Sequence, residues 1–108
     1  MKTLAGLTLI LAAFSTGSWA EPVDFNKRNA HIFCSSHLAV ISESVDKGSE
    51  EYQALRYLSG MHRKEAQAMG ATRKHFLDVI RYLEQARDSD KEKWRSLSAR
   101  SQEVCIQD

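Results

Sequence analysis

From Asp24 onward the apolar residues recur at helical spacing, and no segment alternates with period two over the length of a strand. Cys34, Leu38, Ile41 and Val45 fall at i, i+4, i+7 and i+11, one stripe of a helix predicted from Asp24 as N-cap to about Asp46, with Lys47-Gly48 closing it. Phe25, Ile32, Phe33 and Val40 form a second apolar set on roughly the opposite side. A helix that is apolar on two faces is either central in the fold or partly exposed for a partner. A second helix is predicted after Ser49, with Glu50 and Glu51 in the first turn where the helix dipole favours acids. Its stripe is Leu55, Leu58, His62, Ala66 and Met69, Gly70 ends it, and Ser59-Gly60 marks a place for a kink. A third helix starts near Thr72 and turns Phe76, Val79, Ile80 and Leu83 inward. Ser89 with Glu92 three residues later predicts a capping box for a fourth, whose inward face is Trp94, Leu97, Ser101, Val104 and Cys105.

Short connections between helices make sequential neighbours antiparallel, so the pattern predicts an all-α fold, a small up-down-up-down four-helix bundle. Ahead of it, Lys2, the apolar run Leu4 to Phe14 and the small residues of Ser18-Trp19-Ala20 follow the grammar of a signal peptide, residues 1–20, cleaved after Ala20. That apolar run falls short of the roughly twenty residues a membrane-spanning helix requires. Residues 21–108 are then a single helical domain that works outside the cytoplasm. They contain no Asn-x-Ser/Thr sequon, which favours the periplasm over a eukaryotic secretory route, with an extracellular destination as the alternative.

Export changes the meaning of the cysteines. The chain has 2, and in an oxidising compartment they read as one structural disulfide, Cys34 with Cys105, joining helix 1 to helix 4. Closing so long a loop stabilises the fold by about 4 kcal/mol in the chain-entropy model. The bond also agrees with the topology, since helices 1 and 4 must lie side by side for it to form.

Charge narrows the partners. Lys2 leaves with the leader, so the chain's 15 basic and 14 acidic residues come to balance, and a neutral domain has no global field to hold nucleic acid or an anionic membrane. The distribution is uneven: from Arg56 to Arg81 there are six basic residues against two acidic ones. Arg63, Lys64, Arg73 and Lys74 cluster at the corner between helices 2 and 3, where they would suit an acidic protein surface. With Phe33 and Val40, which lie 100° or more from Cys34 on helix 1, they make a candidate partner-binding surface, an apolar spot with a charged rim. A homodimer through the same spot is a further reading.

No constellation of catalytic residues is legible. There is no nucleophile motif around a histidine, no glycine-rich phosphate loop and no CxxCH for haem. His31 and His37 are six residues apart and point away from each other, and His62 sits on an apolar stripe, where a satisfied core histidine is the ordinary case. Met61, His62 and Met69 suggest copper by ligand type, but the two methionines are too far apart along one helix to share an ion, and core filling explains them. The sequence therefore assigns no catalytic residue, no metal site and no cofactor. In size and architecture, exported and helical with a disulfide between the first and last helices, the chain resembles small bacterial periplasmic immunity proteins and acid-stress chaperones. That resemblance is one of size and architecture; the stapled small scaffold, the polarised charge and the second apolar stripe of helix 1 lead to the expectation of a noncatalytic protein-binding or inhibitor role, as of an immunity factor against an envelope-targeting toxin. A periplasmic stress or acid chaperone is the alternative, and a metal- or haem-binding bundle the third reading.

Overall fold

The computed structural model describes residues 23–106, and the leader expected at residues 1–20 lies outside them. Four helices follow in order, α1 (Phe25–Ser42), α2 (Glu50–Ala68), α3 (Arg73–Ser89) and α4 (Lys91–Val104), with no strand among the described residues. The all-α class, the four helices and the disulfide between the first and the last are as the periodicity implied.

The organising element is α1, which packs against each of the other three helices, most extensively against α2. Its two apolar faces are both used. On one, Cys34 and Leu38 meet Leu55 and Cys105, with Phe33, Ile41, Val45 and Leu58 packed around them. On the other, Ile32 meets Ala66 and Phe76, with Ala71 and Val79 at the edge. Residue pairs give the directions: His31 with His62 and Ser35 with Ser59 run in opposite senses along α1 and α2. Cys34 with Cys105 and His37 with Ser98 do the same for α1 and α4.

Between its apolar residues α1 buries Ser35, Ser36, His37 and Ser42. Small hydroxyl side chains at these positions let a neighbouring helix come close, provided their polar atoms find partners. Ser59 Oγ donates to the Ser35 carbonyl at 2.7 Å, and Ser42 Oγ donates to the Ala39 carbonyl at 2.6 Å. The Ser36 and Ser101 hydroxyls are buried without a partner among the described residues.

The ends of the helices follow local chemistry. Asp24 accepts from the Lys27 N–H and Ser49 from the Tyr52 N–H, each at 3.1 Å, as N-caps. Gly70, at φ +94°, ends α2 in the left-handed conformation that suits glycine. α1 stops at Ser42, short of the expected Asp46. The Ser42 hydroxyl bonds back to the helix, and Glu43, Ser44 and Val45 each donate to a carbonyl three residues earlier, tightening the last turn. α2 runs unbroken through Ser59-Gly60, because Ser59 is tied to α1. α4 is capped by Asp90, which accepts from the Lys93 N–H at 3.1 Å, and not by Ser89, which closes α3. Val104, expected to face inward, is 47% exposed.

The Cys34–Cys105 bond spans 71 residues and holds the C-cap of α4 against the middle of α1, with 5.3 Å between the α-carbons. Cys105→Ser is expected to cost about 2 to 5 kcal/mol in urea unfolding. Phe76→Ala, at a side chain 1% exposed, should cost about 3 to 5 kcal/mol. Losses under 1 kcal/mol at both sites would contradict this packing.

Candidate functional site

The six residues expected to form a partner surface are not one surface. Val40 is 1% exposed and belongs to the interior, because α1 is enclosed by neighbours on both apolar faces. Phe33 is half-buried against the Cys34 cluster, with its ring centroid 5.6 Å from that of His37. The expectation of an outward-facing Phe33–Val40 spot is corrected accordingly. Of the four cations, Arg63 lies over the Phe76 ring at 4.6 Å and Lys74 pairs with Asp78 at 2.7 Å. The Lys74 hydrogen bond holds the Asp78 carboxyl below its usual pKa. Lys64 and Arg73 are exposed and enter no ion pair among the described residues.

A different apolar surface stands free on the outer side of α2. Tyr57 is 68% and Met61 47% exposed, one turn apart, with Gly60 beside them and Arg56 and Lys64 at the two ends. At about 100° per residue these five positions span an arc of about 140°. The arc is centred opposite the buried Leu55, Ser59 and Ala66. A shallow depression of about 220 Å³ lies among them, and an ideal Cβ on Gly60 would meet nothing within 4 Å. Other exposed aromatics are covered by a cation of their own chain: Arg28 lies over Phe25 at 4.8 Å and Lys93 over Tyr82 at 5.3 Å. Tyr57 has no such cover among the described residues. Lys64 was expected on a different surface, the rim around Phe33 and Val40, and Tyr57 and Met61 were hidden because an exposed tyrosine or methionine is unremarkable in sequence.

A second opening, a cleft of about 460 Å³, lies where α2 and α4 flank α1. Ile41 and Leu55 form its apolar wall, and His37, Ser98 and Ser101 line it. His37 is 1% exposed. Its ring neighbours those of Trp94 at 4.9 Å and Phe33 at 5.6 Å, both tilted to it, and its Nε2 is 3.2 Å from Ser98 Oγ. Burial lowers its pKa to about 4. The pair has the reach of a nucleophile and a base, but an imidazole of so little proton affinity does not activate a hydroxyl. Its Nδ1 has no partner among the described residues, so no carboxylate orients the ring.

The remaining histidines form contacts that the sequence did not give away. His62 Nε2 is 2.9 Å from the Cys105 carbonyl, and His62 Nδ1 is 2.9 Å from His31 Nδ1. A carbonyl only accepts, so Nε2 of His62 carries a proton; in the neutral ring Nδ1 is then the acceptor, and His31 Nδ1–H donates to it. The ring centroids are 5.1 Å apart, about the nitrogen separation plus two ring radii, so the nitrogens meet head-on. That is hydrogen-bond geometry and leaves no gap for an ion between them. Among the described residues no three histidine, cysteine, aspartate or glutamate side chains are grouped to hold a metal. The His31 pKa is lowered by burial and by the neighbouring His62, against the opposing charge of Glu65. His75 Nδ1 accepts from the Thr72 N–H at 2.8 Å and caps α3.

Fold and contacts define a small all-α bundle whose last helix is tied to its first by a disulfide. Comparison with protein-family models, with curated protein sequences and with solved structures finds no match.

The His37 environment sets a pH dependence whose sign is fixed. A histidine of pKa near 6.5 when unfolded and about 4 when folded binds its proton more readily in the unfolded chain. Stability is therefore full above about pH 6.5 and falls as pH drops towards 4, by roughly 3 kcal/mol in all. His31, shifted the same way, adds to the loss. Urea unfolding at pH 7.5 and 4.5 should record this fall, and His37→Phe should flatten it; an unchanged slope in the variant would contradict the assignment.

Proposed function

We propose that the protein is a noncatalytic, exported protein-binding or inhibitor protein, as an immunity factor is, and that it works in the periplasm. The observation that carries this reading is the outer face of α2, where Tyr57 and Met61 stand exposed between two cations on a scaffold cross-linked by its disulfide. An apolar centre with a charged rim is the usual anatomy of a protein contact surface, and tyrosine and methionine are enriched there. A rigid scaffold lowers the entropy lost on binding. A photo-cross-linking residue placed at Tyr57 should give protein adducts in the native envelope. The same residue at Gln85, on the exposed side of α3, should give none. Equal yields at both positions, or none at either, would contradict the proposal.

A second reading, a periplasmic acid-stress chaperone, is favoured by one observation. His37 is uncharged, buried and in contact with the rings of Phe33 and Trp94, so protonating it under acid destabilises the packing of α1 with α4. On this reading the apolar surface needed for clients is uncovered by acid. Binding of a hydrophobic dye should rise between pH 6 and 4 and stay low in His37→Phe. A protein that binds no more dye at pH 4 than at pH 7 excludes this role and leaves the first reading in place.

A further inference from the structure

We infer that the outer face of α2 receives an acidic helical segment of another protein, one that presents two carboxylates on either side of an apolar side chain. This rests on the protein-binding reading and specifies the partner's chemistry. Arg56 and Lys64 are eight residues apart, about 12 Å along the helix axis, and both are exposed and free of ion pairs among the described residues. Tyr57, Gly60 and Met61 lie between them. Glu65, the acid of this stretch, stands at the edge of the face, where its charge reaches His31. The middle of the face therefore offers two cations around an apolar centre, and its electrostatic complement is a pair of acids around an apolar centre.

Gly60 sets the shape of the occupant. With no side chain at the middle of the face, an approaching backbone can come close, and the depression beside it has room for one aliphatic side chain. A second copy of this chain is the wrong partner. Two α2 helices crossed antiparallel at Gly60 would set Arg56 of one against Lys64 of the other, and a parallel crossing would set Arg56 against Arg56. Either arrangement brings like charges together, which costs stability.

The test uses the disulfide-bonded protein and two synthetic helical peptides with the same apolar stripe. One carries glutamates eight residues apart about a central leucine, and the other carries lysines at those two places. Fluorescence anisotropy should show the glutamate peptide binding at least tenfold more tightly. The double variant Arg56→Glu, Lys64→Glu should reverse the preference, and Tyr57→Ala with Met61→Ala should weaken the glutamate peptide at least tenfold without lowering the melting temperature. Binding without a preference for charge would overturn the inference, as would self-association that Tyr57→Ala abolishes. Saturable binding to phosphatidylglycerol vesicles with none to the peptide would overturn it too. If cross-links at position 57 form while the peptides are not discriminated, this inference falls and the protein-binding reading stands; if no cross-links form, both fall.

Discussion

The fold depends on a single helix being enclosed by three others. Beyond its exposed first turns, α1 has no solvent stripe wide enough to let it stand at the surface: Ile32, Cys34, Leu38 and Val40 point to different sides, and each is at most 3% exposed. One partner helix cannot cover so wide an arc. α2 meets both apolar sides of α1, joined by the end of α4 around Cys34 and by α3 around Ile32, while α4 also rests on α3, so each surrounding helix needs only one apolar face. That arrangement leaves the outer faces of the surrounding helices free of packing duties, which is why Tyr57 and Met61 can stand in solvent without harm to the core.

The weakest of these attachments carries the covalent bond. α4 is the shortest helix, 14 residues, and among its residues only Ser101 is fully buried. Its hold on α1 comes from Cys105 at its end, from the His37–Ser98 contact and from the contact of Trp94 with His37. The Cys105 carbonyl also meets His62, so the disulfide fixes a point on which α1, α2 and α4 converge. Besides the disulfide, two of the three side-chain links that join α4 to α1 and α2 run through the neutral His37 imidazole, the rest of its packing being against α3. Structure and acid response are therefore coupled at this place. A proton taken up by His37 acts on the helix with the fewest other attachments.

Much of this was legible from residue spacing. The helix count, the inward stripes of α2 and α3, the Cys34–Cys105 pairing and the central place open to α1 all follow from apolar periodicity and from reading two cysteines, with none left over, as one structural disulfide. What spacing could not supply was which of α1's two faces would be left open, and neither was. Val40 looked like surface because periodicity records direction around a helix and says nothing of how many neighbours surround it. The buried serines were opaque for a related reason: Ser35 and Ser59 are interior only because each offers a partner to the other. The His31–His62 contact pairs residues 31 positions apart on separate helices, and no local pattern encodes that. The α2 face was not legible: Arg56 and Lys64 stood out only as part of a basic stretch, Lys64 was assigned to another surface, and the apolar centre is defined by Tyr57 lacking, among the described residues, the cation that covers Phe25 and Tyr82.

Native-state hydrogen exchange, residue by residue, tests the central place of α1 most directly, since amides in the most enclosed helix open only with the whole fold. Exchange is expected to be slowest in α1 between Ile32 and Val40, intermediate in α2 and α3, and fastest in α4. Reduction of the disulfide should then release α4 first. Amides of α1 that exchange before those of α2 and α3, or an α4 as protected after reduction as α1, would contradict that central place.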